Sequence, residues 1–315
     1  MTVDPRARLT TVGRQLRERV DRATAGYLAV GAAAGLAVFL IAVFVFPYHS
    51  VNHDEGVYLM QASMLLEGQL TLAGGDLAGV FRPWFFVADG GELYPKYNPV
   101  PAAMFAASMG LFGAPRLTLA IVAAGNAVCV AVLGSMVADR RVGLLAGILF
   151  AASPMTLFTS AVFLPYAPTT LLNLLFAVAY LRGVRTGSLR AAAAAGVAIG
   201  LAAFARPYTA LLFAAPFIAH ALWTVGRGLW IDDRSLADQA RQLGSRPGFR
   251  SLQTAVQRNT LTAIGGTAFV GLTLAYNTVL TGAPLTFPYQ AFAPLDGPGF
   301  GLREILDHSV EYTLA

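Results

Sequence analysis

Long apolar runs separated by short polar connections set the pattern of this chain, and the first run, 25–46, is followed directly by a polar stretch ending in His53-Asp54-Glu55. Further apolar windows cover 117–137, 142–160, 168–181, 191–205, 208–225 and 260–280. About 20 apolar residues in a helix suffice to cross roughly 30 Å of hydrocarbon, so the pattern predicts an all-α integral membrane protein, a polytopic bundle of about seven spans. Another apolar stretch, Val100 to Phe112, is bounded by Pro99 and Gly113. At about 1.5 Å per residue it reaches only roughly 20 Å, so it is expected to lie in a leaflet or dip into it.

The connection 47–115 is too long for a plain link and should carry structure of its own, in the form of interfacial helices. Between Asp54 and Gly68, Val57, Met60, Met64 and Leu65 fall on one helical face, with Gln61, Ser63 and Glu67 away from it. Gly74-Gly75 breaks the helix. Beyond it, the rings of Trp84, Phe85 and Phe86 suit a headgroup region.

Composition excludes an ordinary soluble domain, since only 12% of the 315 residues are charged, against about 25% in typical soluble proteins. The mean hydropathy of +0.59 agrees. Cys129, the single cysteine, excludes a disulfide framework and a thiolate metal cluster. The net charge of +5 does not point to nucleic acid here, because in so apolar a chain the distribution of the cations matters more than their sum. With the windows above alternating across a bilayer, 17 of the 22 Lys and Arg fall on the side of the N-terminus. Arg82, Lys96, Arg116, Arg206 and Arg303 fall opposite.

The positive-inside rule then places residues 1–24 in the cytoplasm, ahead of a membrane domain at 25–281. Within that domain 47–115 is extracytoplasmic and 226–259 is a cytoplasmic loop. The six arginines before the first span resemble a signal n-region, but the apolar run of 22 residues fits a retained anchor. Segment 282–315 returns to the outer side and reads as truncated. A multi-pass protein of the plasma membrane is expected, and abundant Arg, Ala and Gly suggest a prokaryote.

Candidate chemistry gathers in the outer loop. Asp54 and Glu55 emerge just past the first span, and Lys96, the only lysine in the chain, is expected on the same side. That pairing suggests chemistry on an anionic lipid. Each residue also has a plainer reading. Asn52-x-x-Glu55 fits a capping box with Asp54 in a helix first turn, Lys96 could snorkel toward lipid phosphates, and Arg206 could be an ordinary end-of-span charge. No organic cofactor is assigned. A divalent metal stays open, with His49 and His53 as its candidate ligands and His308 and Asp307 on the same side. His220, inside an apolar window, reads as a packed core histidine.

The ordered motifs resemble the GT-C superfamily of integral-membrane glycosyltransferases, in particular the polyprenyl-phosphate-sugar branch containing protein O-mannosyltransferases and aminoarabinose transferases. The matching residues are Asp54-Glu55 after the first span, Tyr94-Pro95-Lys96-Tyr97-Asn98-Pro99, Phe112-Gly113 with Arg116, Ala205-Arg206-Pro207, and Tyr276-Asn277 with Gly282-Ala283-Pro284-Leu285. The resemblance implies transfer of a sugar from a polyprenyl (dolichyl-type) phosphate to a glycan, lipid or protein acceptor, with inversion. Asp54 and Glu55 would be catalytic, with Asp54 the general base. Lys96, Arg206 and Arg116 would bind the donor phosphate, and His53, Tyr94, Tyr97, Tyr166 and Asn277 would line the cavity.

Two departures stand out. Where many members carry a second aspartate near the fourth span, this chain has Leu164-Pro165-Tyr166-Ala167-Pro168, and Pro95 replaces a glutamate that precedes the lysine. A noncatalytic subunit of the same fold is one alternative. A transporter is another, although the windows lack the midplane charges it would need.

Overall fold

The computed structural model describes residues 22–239, 247–297, 299–306 and 308–313. Helix α1 (Arg22–Phe44) leads into α2 (Asp54–Leu66), then a small sheet of β1 (Leu72–Ala73), β2 (Phe86–Asp89) and β3 (Glu92–Pro95), then α3 (Val100–Phe112). The bundle continues with α4 (Arg116–Val137), α5 (Arg140–Ala152), α6 (Pro154–Ser160), α7 (Tyr166–Thr186), α8 (Leu189–Ala205), α9 (Pro207–Gln239) and α10 (Pro247–Thr281). A short α11 (Pro288–Phe292) and a hairpin of β4 (Gly301–Ile305) and β5 (His308–Tyr312) follow.

Among the described residues α1, α4, α7, α9 and α10 are long and apolar enough to cross a membrane. Helices α5 and α6 add a sixth crossing if taken as one broken span, bent by 62°. The break has a local cause: Ser153 is extended, its hydroxyl accepts from the Thr156 backbone N–H, and Pro154 cannot donate back into α5. All seven expected windows are helical, but α8, at 17 residues, is shorter than a full span. The expected loop 226–259 is largely taken up by extensions of α9 and α10, and 240–246 lie outside the described residues.

Close packing rests on small residues, as expected where lipid provides little hydrophobic drive for association. Helices α8 and α10 meet at Gly196 and Gly265. A Cβ at Gly196 would lie 2.7 Å from the Thr262 carbonyl oxygen, and one at Gly265 would lie 2.9 Å from Gly196 Cα. Polar stitches run across the helices as well: the Asn126 amide donates to Ala167 O at 3.1 Å and the Thr262 hydroxyl to Ala192 O at 3.0 Å.

The all-α expectation needs correcting in two places, because β1 to β3 and the β4–β5 hairpin are extended. Sheet β1-β3-β2 is antiparallel, and its β2–β3 turn is Gly90-Gly91, with φ of 57° and 85°. Two consecutive left-handed residues match the right-handed twist of a two-residue hairpin, a geometry that glycine adopts without strain. The predicted faces of α2 also change. Met60 is exposed, whereas Gln61 is buried because its amide donates to the Tyr97 carbonyl at 3.0 Å and to the Tyr276 hydroxyl at 3.2 Å.

Candidate functional site

The ends of several elements converge on one cavity of about 510 Å³, lined among others by Asp54, Tyr58, Lys96, Tyr97, Tyr166 and Arg206. The sequence separates these residues widely, and the fold gathers them. Asp54 opens α2, where the Asn52 side chain accepts its backbone N–H at 3.0 Å, leaving the half-buried carboxylate to the cavity. Arg206 sits at the corner where α8 stops and Pro207 begins α9, and its guanidinium lies 4.9 Å from the Tyr166 ring centre. Proline's missing N–H enforces that corner.

Lys96 follows the β2–β3 hairpin and is 4% exposed. Its ammonium sits among four rings, at 3.6 Å from the Phe85 centroid, 4.9 Å from Tyr97, 4.8 Å from Phe292 and 5.5 Å from Tyr289. Such contacts contribute about 0.5–2 kcal/mol each, more when desolvated. Phe85 adopts φ of 60°, unusual for a bulky residue, and its carbonyl accepts the Lys96 N–H at 3.1 Å. Burial lowers the Lys96 pKa below the usual lysine value, while the Asp54 and Asp296 carboxylates pull it partly back up.

Tyr97 stacks on Tyr58 at 4.7 Å, and its carbonyl is held by Gln61 and by the Tyr276 hydroxyl at 3.3 Å. Burial, and then the hydrogen bond its hydroxyl donates to Asp54, push the Tyr97 pKa far above the ordinary tyrosine range. Tyr58 is raised as well, by burial, with Arg206 opposing. Both phenols therefore stay protonated, and that of Tyr97 donates to Asp54.

Asp296 and Tyr289 also belong to the cavity and were missed from the sequence. The Tyr289 hydroxyl donates to Asp296 Oδ2, which raises the Tyr289 pKa on top of the effect of burial. A second carboxylate is thus present, delivered by the segment after α10 rather than by the fourth span. No local pattern around Asp296-Gly297 marks it; the only available signal was its position on the expected outer side.

Several expected site residues lie elsewhere. Glu55 is buried at 1% exposure and does not line the cavity. Its Oε1 accepts from Ser50 N at 2.8 Å and from the Ser50 hydroxyl, and its Oε2 accepts from Phe163 N at 2.8 Å. It ties the exit of α1 to the turn ahead of Tyr166, so the capping box read from Asn52 and Glu55 does not form. Glu55→Gln should destabilise the protein by about 1–3 kcal/mol, because one amide N–H would face a buried donor. A drop in the detergent melting temperature checks this, and unchanged melting contradicts it.

Arg116 also falls outside the lining, and its guanidinium donates to the carbonyls of Ala42, Phe46, Pro47 and Tyr48, capping the C-terminal end of α1. Tyr94 is packed with Phe204 and Tyr276 beside the cavity. Asn277 is fully buried and donates to Pro284 O at 3.0 Å, fixing the turn after α10. His220 is exposed and pairs with the Tyr180 hydroxyl at 2.8 Å, not packed in the core.

The candidate metal ligands have these surroundings. His53 stacks on Trp84 at 4.9 Å, His49 Nδ1 donates to Ser50 O at 2.6 Å, and both Glu55 oxygens already accept from protein donors. Asp307 lies outside the described residues, and His308 is exposed on β5. The described residues contain no group of three or more metal-ligating side chains of the His, Cys, Asp and Glu types.

The chain matches no protein-family model, and no curated protein matches it significantly.

Proposed function

We propose that the protein is a membrane glycosyltransferase that moves a sugar from a polyprenyl phosphate to a hydroxyl acceptor with inversion. One observation carries this reading: Asp54, Lys96 and Arg206, one acid and two basic residues far apart in sequence, line a single cavity. Glycosyl transfer from a phosphate needs a base for the acceptor proton and cations for the leaving phosphate. Asp54 takes the acceptor proton as the acceptor oxygen attacks the anomeric carbon. The bond from that carbon to the phosphate oxygen breaks, and its electron pair leaves with the phosphate. Arg206 meets the phosphate with its fork, Lys96 with a point charge. The rings of Tyr58, Tyr97 and Tyr166 offer faces for the sugar.

In this reading the chain crosses the bilayer seven times, with α5 and α6 forming one bent span and α8 a short one. The arginine-rich N-terminal side is cytoplasmic and the cavity opens on the opposite side. The polyprenyl tail lies along the apolar flanks of the helices.

Replacing Lys96 by alanine tests the assignment. Loss of a charged hydrogen bond costs about 1.5–3 kcal/mol, so polyprenyl phosphate should bind roughly tenfold to a hundredfold more weakly, with acceptor KM unmoved. Unchanged donor affinity would remove Lys96 from the phosphate. The lowered Lys96 pKa has a further consequence. The amine loses its charge below the usual lysine value of about 10.4, so donor affinity in the wild type should fall at less alkaline pH than for an ordinary lysine. Lys96→Arg should extend binding to higher pH, and an identical alkaline limb in both proteins would contradict this.

A further inference from the structure

The ammonium of Lys96 is enclosed from two directions. Phe85 and Tyr97 belong to the loop between α1 and α3, whereas Tyr289 and Phe292 belong to α11. Asp296 acts on the same charge, and the Tyr289 hydroxyl donates to it, so two rings and one carboxylate of the segment Phe287–Gly297 form a single unit over the amine.

That unit is held together by its own hydrogen bonds and rests on its neighbours through packing, the Phe292 ring meeting Phe85 edge-on at 5.7 Å and Ala293 being buried. Among the described residues its hydrogen bonds run within it: Phe287 N to the Gln290 side chain at 3.1 Å, Ala291 N to Phe287 O at 3.1 Å, Ala293 N to Tyr289 O at 2.9 Å and Asp296 N to Ala293 O at 3.1 Å. Glycines in left-handed conformations flank it, Gly282 at φ 72° before and Gly299 at φ 113° after. Such residues absorb a change of chain direction without strain.

Its present position competes with close contact between a phosphate and Lys96. The residue is only 4% exposed while Tyr289 and Phe292 stand against its ammonium, and a phosphate brought there would face the Asp296 carboxylate that already acts on the same charge.

We propose that the segment Phe287–Gly297 is a displaceable cover in which Asp296, Tyr289 and Phe292 hold Lys96 in place of the donor phosphate and swing away when that phosphate binds. This rests on the assignment of Lys96 to the phosphate, but the cover itself can be tested without turnover. Because Lys96 is the only lysine, its acylation by N-hydroxysuccinimidyl acetate can be followed in the purified full chain by peptide mass spectrometry. In the native wild type, labelling should be much slower than in the denatured chain. Phe292→Ala, and separately the near-isosteric Asp296→Asn, should each accelerate it by about tenfold or more by populating the uncovered state.

Native wild-type labelling at the denatured rate would overturn the cover. So would unchanged rates in both variants when their elution and melting match the wild type. Polyprenyl phosphate and inorganic phosphate are then added to Asp296→Asn. Protection by polyprenyl phosphate at concentrations where inorganic phosphate has no effect supports displacement by the lipid headgroup. Faster labelling that neither probe slows leaves the cover intact but overturns displacement by phosphate, and with it the placement of Lys96 on the donor. Protection by inorganic phosphate alone assigns the displacing ligand to the free anion.

Discussion

Asp54→Asn is expected to lower sugar transfer by about two to four orders of magnitude, the range typical for loss of a general base, while protein abundance and melting stay at wild-type values. The substitution keeps the shape of the side chain and an oxygen able to accept from Tyr97, so the stacked Tyr58–Tyr97 pair should persist. The helix start depends on the Asp54 backbone N–H and Asn52, which do not change. Only the capacity to take a proton is lost. Comparison with Glu55→Gln sharpens the result, since the neighbouring carboxylate is committed to Ser50 and Phe163 and its loss should appear as instability. If Asp54→Asn kept full activity, the acceptor proton would have to go to another group, and Asp296 would be the next candidate.

Gly196→Leu should prevent assembly of the bundle, at a cost of at least about 2 kcal/mol from overpacking. The new side chain would have to occupy space held by the Thr262 carbonyl and by Gly265, both backbone, and neither can rotate aside. Forcing α8 from α10 would also pull the site apart, because Arg206 ends α8 while Tyr276 on α10 holds the Tyr97 carbonyl. Aggregation or early elution in detergent, with loss of polyprenyl-phosphate binding, is the expected outcome. A monodisperse variant melting with the wild type would show that the close contact does not hold the helices together. The same substitution at Gly271, where an added Cβ meets nothing within 4 Å, serves as a control and should be tolerated.

How much of this was legible in advance depended on the range of the interactions involved. The long helices follow from apolar run length, a local property, and both ends of α4 and the C-terminal end of α10 lie close to those expected, while α10 begins well before its apolar window. Asp54, Lys96 and Arg206 could be grouped because each flanks an apolar element at the same expected end. The β2–β3 hairpin carries a local signal only in Gly90-Gly91, because neither flanking strand alternates polar and apolar residues. The roles of Glu55 and Arg116 were not legible. A carboxylate that caps a helix and one that ties two loops look alike in sequence, and the carbonyls that occupy Arg116 lie about 70 positions away in the chain. Asp296 shows the same limit, because nothing beside it encodes its approach to Lys96.

The central claim is that the cavity around Asp54, Lys96 and Arg206 cleaves a sugar from a polyprenyl phosphate. The direct measurement is release of free polyprenyl phosphate when the purified full chain is given a panel of polyprenyl-phosphate sugars and a membrane extract as acceptor source. Release from at least one donor is expected, lost in Asp54→Asn and shifted to higher donor concentration in Lys96→Ala. Release that is indifferent to both substitutions, or no release from any donor by a protein that stays folded, would contradict it.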